Sequence, residues 1–208
     1  MKRSRVTLAC LAFVLLIGCV PPGSQYQTIA WQPDGSGWTQ YKTNDPSARG
    51  YAYTELVSGA SLPASGTVTV GIRQLSGSVQ TGLGVVFGYA SDHSYWVFYI
   101  DQAGAGAYDV FRWNGLSWQY IVGSMTSVPI VLGADVENDL SIGYDGTNIA
   151  VSVNGTLQYN INSTTMQYAI GTPPLVTGLS GTGIGYVVML DSSETFPAVP
   201  LDARFKLF

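Results

Sequence analysis

At 208 residues the chain is long enough for one large domain and short for two. Charged residues are only 11%, against about 25% in an average soluble domain, while Gly fills 25 positions and Tyr 13; this composition excludes a disordered chain, a coiled coil and a helical bundle. The net charge is −4, and setting aside Lys2, Arg3 and Arg5 of the first eighteen residues takes it to −7, so phosphate backbones are repelled and nucleic acid is excluded as a partner.

In chain order, Lys2-Arg3-Ser4-Arg5 is a positive n-region. Val6 to Ile17 is an apolar stretch too short to span a bilayer and of the right length for a signal peptide. It runs into Leu16-Ile17-Gly18-Cys19, which resembles the bacterial lipobox. The resemblance implies cleavage before Cys19, diacylglycerol on its sulfur, and export to the cell envelope, at the outer membrane if the host is diderm. Each buried CH₂ of an acyl chain contributes about 0.8 kcal/mol, so two or three chains anchor stably. The other cysteine, Cys10, lies in the segment to be removed, which leaves no disulfide. Residues 1–18 are therefore read as signal, 19–27 (with Pro21-Pro22-Gly23-Ser24) as a tether, and 28–208 as the domain.

From residue 50 onward, short runs rich in Val, Ile, Tyr, Phe, Trp and Thr alternate with turn residues. Strands are predicted near 50–57, 66–75, 82–90, 94–101, 106–113, 117–123, 138–144, 147–153, 156–161, 182–190 and 203–208. Asn154-Gly155 between two alternating runs is a strong hairpin signal, and Asn114-Gly115 and Asp145-Gly146 mark further turns. Many short strands and no helix argue for an all-β sandwich or barrel. In 94–101, alternation puts Trp96, Phe98 and Ile100 on a core face. Tyr95, Val97, Tyr99 and Asp101 fall on a face that meets water or ligand. Gly84 and Gly88 are expected beside Val86, where bare backbone admits a close neighbour.

Gly82–Ala90, Asp92–Ile100, Gly106–Arg112, Asn114-Gly115, Trp118, Ile149–Gly155 and Gly183–Tyr186 together resemble the concanavalin A-like jelly-roll superfamily, in particular its laminin-G-like and sugar-hydrolase-associated modules. The resemblance covers roughly residues 50–208 and implies two antiparallel sheets, with sugar held on the concave one. The glucanase pattern of clustered Glu and Asp on one strand is missing: Glu55, Glu137 and Glu194 stand apart.

The single histidine, His93, lies in the polar turn 91–94, where solvation explains it better than catalysis. Zinc is not expected. No cofactor is expected, apart from a structural calcium that the strand-end residues Asp92, Asp101, Asp139, Asp145 and Asp191 leave open, although each reads first as a turn former. The strongest functional hint is aromatic. Tyr95, Tyr99, Trp113, Trp118 and Tyr120 fall on three successive strands, with Asp101, Asp109, Arg112 and Asn114 as polar neighbours. Rings that stack on sugar C–H faces, beside fixed polar groups, suit a shallow carbohydrate site. Core packing between sheets is the competing use of such rings. Arg112, in an apolar strand, is expected either to pair with an acid such as Asp101 or to face solvent. The reading is a non-catalytic, lectin-like lipoprotein module that binds carbohydrate or another extracellular polymer. The alternatives are a glycoside hydrolase-like enzyme that would need a carboxylate pair, with Asp101 and Asp109 the candidates, and an adhesive envelope protein with a protein partner.

Overall fold

The computed structural model describes residues 30–43, 51–126, 129–162, 177–190 and 201–208. They form thirteen strands: β1 Ala30–Pro33, β2 Thr39–Thr43, β3 Ala52–Ser61, β4 Gly66–Ser76, β5 Gly82–Tyr89, β6 Tyr95–Asp101, β7 Ala107–Trp113, β8 Trp118–Thr126, β9 Glu137–Tyr144, β10 Asn148–Val153, β11 Thr156–Asn162, β12 Gly183–Met189 and β13 Leu201–Leu207. Cys19 and the tether lie outside the described residues, as does Asp191.

The strands make two antiparallel sheets. One has seven strands in the order β1-β2-β13-β4-β9-β10-β11 and the other six in the order β3-β12-β5-β6-β7-β8. This is an all-β sandwich of two antiparallel sheets, one of the two architectures that the strand pattern predicts. Eleven strands stand where the sequence places them. β1 and β2 are additional, forming a short hairpin whose turn is held by Asp34: its carboxylate accepts the amides of Ser36 (2.8 Å) and Trp38 (3.2 Å). At the β10–β11 turn, Asn154 and Gly155 have φ of 49° and 76°, the two successive positive values that a type I′ hairpin requires.

The core lies between the sheets. Val70, Ile72, Leu140, Ile142, Ile149, Val151 and Phe205 meet Leu83, Val85, Phe87, Trp96, Phe98, Val110 and Val188, all fully or nearly fully buried. As predicted, Trp96, Phe98 and Ile100 belong to it. Alternation then fixes the opposite, outward face of each strand, and the two sheets use that face differently.

Candidate functional site

The outward face of the six-stranded sheet is read directly from strand register. One cross-strand row runs Thr54, Val187, Gly84, Tyr99, Asp109. The next runs Leu56, Gly185, Val86, Val97, Phe111, Tyr120. A third ends in Tyr95, Trp113, Trp118. Although no sheet of the described residues lies over this face, Val86, Val97 and Val187 have no exposed surface, and aromatic rings pack with them as a second apolar layer.

Seven rings connect across that layer. Tyr89 stacks on Tyr95 with centroids 5.7 Å apart, and Tyr95 meets Trp118 edge-on at 5.7 Å. Trp118 also packs edge-on against Trp113 (5.2 Å) and Phe111 (6.2 Å). Phe111 touches Tyr120 at 4.3 Å and lies parallel to Tyr99 at 5.7 Å. Edge-to-face and offset pairs of this kind contribute about 0.5–1.5 kcal/mol each beyond area burial. Tyr95, Phe111 and Trp113 are the buried base, and Trp118, 38% exposed, and Tyr120, 69% exposed, are the outer rings.

Local backbone explains where Tyr99 sits. A Cβ on Gly82 would stand 2.6 Å from the Tyr99 ring, and one on Gly84 would meet the Phe98 carbonyl and lie 2.5 Å from Tyr99 Cα. The glycines of β5 thus leave the space in which β6 and its phenol lie close. A bulge on β8 sets the other margin: Phe111 faces Tyr120 while Val110 faces Val122, so Tyr120 points outward and Val122 inward although they are two residues apart.

Polar groups sit at the two ends of the layer. At one, Tyr99 stands directly across the β6–β7 pair from Asp109, which is only 3% exposed. Burial, then the charge of Asp109, push the Tyr99 hydroxyl far above the ordinary phenol range. Asp101 stands diagonally to Asp109 across the β6–β7 pair, since Tyr99 faces Asp109 and Asp101 faces Ala107. Burial raises the Asp101 pKa and the Asp109 charge adds to this, against the opposing effect of a 2.9 Å bond from the Ala103 amide. At the other end, the Tyr89 hydroxyl and His93 Nδ1 are 3.0 Å apart, with His93 at φ 62° in the 91–94 turn. His93 is thus held by a phenol at the rim of the ring layer.

The structure therefore brings together Tyr95, Tyr99, Asp101, Asp109, Trp113, Trp118 and Tyr120 on one face, with three corrections. Tyr95, Trp113 and Asp109 are buried under their neighbours, so this face is a packed layer with an exposed margin, not a row of open side chains. Arg112 stands on the opposite, core-side face of β7, in register with Trp96. Its Nη1 donates to Gln119 Oε1 at 3.1 Å and its guanidinium lies 6.0 Å from the Trp96 ring, so the pairing with Asp101 is replaced. Gly88, at φ 67°, turns toward Trp96 and away from the Val86 face. Asn114 is a turn former: its Oδ1 accepts the amides of Leu116 (2.9 Å) and Ser117 (2.8 Å). Phe111, which joins the two ends of the ring layer, is the residue that sequence reading missed. Its parity with Asp109 and Trp113 was the available signal.

For calcium, Asp92, Asp101 and Asp145 each accept amides of their own turns, and Asp139 lies on the other sheet. Among the described residues, no three His, Cys, Asp or Glu side chains converge on a metal position.

No family model and no curated protein matches the chain. Among solved structures it is similar to a carbohydrate-binding module, CBM66 from Bacillus subtilis, at 10% identity and TM-score 0.45, covering 82% of this chain and 79% of that one. It is similar to a beta-1,3-glucanase from Mycobacterium marinum at 11% identity and TM-score 0.46, covering 84% and 76%. It is also similar to sheep galectin-11 at 13% identity and TM-score 0.43, covering 73% and 96%. These likenesses concern the arrangement of strands.

Proposed function

We propose that the outward face of the six-stranded sheet binds glycan, without catalysis, and that Cys19 holds the module on the bacterial envelope. The observation that carries the first part is the ring layer itself. Seven connected rings occupy a sheet face that, among the described residues, no second sheet covers; they include two exposed rings, Trp118 and Tyr120, and the face continues past Tyr99 to the half-buried carboxylate of Asp101. Exposed rings on a rigid base stack on sugar C–H faces, and the adjacent polar groups orient hydroxyls.

A hydrolase reading draws on Asp101 and Asp109, whose diagonal placement gives a separation of about 7–8 Å, inside the roughly 5–9.5 Å that glycoside hydrolysis uses. Asp109 argues against it. Nearly buried and opposite Tyr99, it sits beside Tyr120 in the gap left by Gly123, and two carboxylates cannot flank one scissile bond from there.

The test is a glycan array probed with the full chain in detergent, with and without calcium. Binding to a defined sugar class that is lost in folded Trp118→Ala supports the reading. Absence of binding to every glycan in both conditions overturns it. The anchor is tested separately: incorporation of a labelled fatty acid should vanish in Cys19→Ala.

A further inference from the structure

The glycan-binding face has a sign. Five Lys and Arg side chains fall among the described residues, and none stands on it. Lys42 pairs with Asp202 at 3.0 Å and Arg204 with Asp34 at 3.3 Å, Arg73 is bonded to Glu137, and Lys206 lies 4.9 Å from the Phe208 ring. All four belong to the seven-stranded sheet, and Arg112 is on the inner side of β7. The outward face of the six-stranded sheet instead carries Asp101, Asp109 and the rings.

Three features there favour a positive ligand. Asp101 is a half-buried carboxylate in the field of a second one, and an opposite charge within about 4–6 Å stabilises its charged form. Tyr99 faces the Asp109 carboxylate across the β6–β7 pair, an acceptor for its proton, and its oxygen keeps lone pairs for a donor on the ligand. The faces of Trp and Tyr rings attract a cation within about 6 Å. A hydroxyl approaching Asp101 would desolvate it and return one neutral hydrogen bond. An ammonium returns charge-assisted ones.

We propose that this face takes a glycan bearing free, protonated amines, a 2-amino-sugar polymer, with an ammonium donating to Asp101 and to the Tyr99 oxygen while sugar rings lie on Trp118 and Tyr120. The proposal rests on the glycan-binding reading and adds the ligand's charge. The face also sets its length. Asp101 and Tyr95 are six residues apart on β6, about 20 Å, so the acidic end and the Tyr95–Trp113–Trp118 end receive different units of one oligosaccharide.

The experiment is calorimetric titration of the full chain, in detergent, with three oligosaccharides of equal length: a glucosamine oligomer, its fully N-acetylated counterpart and a glucose oligomer. The pH is set below the pKa of the sugar amine and above that of Asp101. The expected result is at least tenfold tighter binding of the free-amine oligomer. That preference should collapse as salt is raised to about 1 M, where the Debye length is about 3 Å. Asp101→Asn, which keeps an acceptor for the Ala103 amide and whose folding is checked by a thermal melt, should abolish the preference. Equal affinity for all three oligomers overturns the amine inference and leaves glycan binding standing. Binding of none overturns both. Oligolysine binding as tightly as the glucosamine oligomer overturns the sugar part of the assignment.

Discussion

The outward face of the seven-stranded sheet carries Lys42, Asp202, Arg204, Arg73, Glu137, Thr69 and Ser141, and they answer one another. Lys42 and Gln40 both reach Asp202, Arg73 reaches Glu137, and the Thr69 and Ser141 hydroxyls are 2.9 Å apart. Even its tryptophan is engaged, with the Arg73 guanidinium 4.8 Å from the Trp38 ring. The outward face of the six-stranded sheet follows the same alternation and carries rings, glycines and two carboxylates. Its polar groups lie at the ends of an apolar layer, and its exposed rings, Trp118 and Tyr120, are at the margin. A face whose charges are matched to each other offers a ligand little. A face that packs rings on rings and leaves a carboxylate half-buried offers both stacking surface and an unmatched sign. The difference lies in which residues share a row, since both faces come from one alternating pattern.

The sharpest test of this contrast uses one glycine from each face. A Cβ on Gly185 would run into the Glu55 carbonyl and lie 2.7 Å from Leu56 Cα, so β3 would have to give way. Gly185→Ala should cost about 3 kcal/mol or more in urea unfolding. A Cβ on Gly143, on the other sheet, would meet Ala150 Cβ at 3.5 Å, an ordinary contact, and Gly143→Ala should stay within about 0.5 kcal/mol. Equal costs would mean that the two faces are packed alike.

Next come the buried and the exposed tryptophan. Trp113→Ala opens the base of the ring layer and should cost about 3–5 kcal/mol of stability. Trp118→Ala should cost about 1 kcal/mol of stability and at least tenfold in glycan affinity. Reversed outcomes would make Trp118 a core residue.

Two carboxylates give effects of opposite sign at neutral pH, and both effects fade in acid. The Asp101 pKa is raised by folding, so its ionised form destabilises the fold, a cost that appears as pH climbs from the unfolded value of about 3.9 through the folded one. Asp101→Asn should therefore raise the melting temperature at neutral pH and make no difference well below about pH 3.9. Asp145 behaves oppositely. Bonds from Asn148 and then Thr147 hold its carboxyl well below the usual range. Its contribution is present above the unfolded value and is lost as pH falls through the depressed one, so Asp145→Asn should lower the neutral-pH melt. Smallest of all, Arg73→Met or Glu137→Gln should cost about 0–1 kcal/mol, shrinking further in salt, because both partners are a third exposed.

Most of the sandwich was legible because its central strands alternate cleanly and their turns carry Asn-Gly or Asp-Gly. β1 and β2 were not. Gln32, Pro33, Gln40 and Lys42 interrupt any apolar rhythm there, and the hairpin depends on Asp34 meeting Arg204 of a distant strand. β3 continues past the predicted end through Ser58, Gly59, Ala60 and Ser61, small residues with no strand signature. In the site, alternation alone placed Tyr95, Tyr99 and Asp101 on one face and could also have separated Arg112 from Asp109 and Trp113. The β8 bulge and the turn of Gly88 toward Trp96 are set by tertiary packing, and no local pattern announces them.

The position of β13 has a further consequence. Leu201–Leu207 comes last among the strands in sequence, yet it lies between β2 and β4 and is bonded to both. Among the described residues, the β1–β2 hairpin joins its sheet only through β13. A chain threaded from its N-terminus therefore cannot complete the seven-stranded sheet until residue 207 has emerged, however long the earlier strands have waited. Pairing between such distant segments is slow, because loop closure must precede any reward from contact. For a polypeptide that crosses a membrane before folding, that delay is useful, since the chain stays threadable until transit is complete.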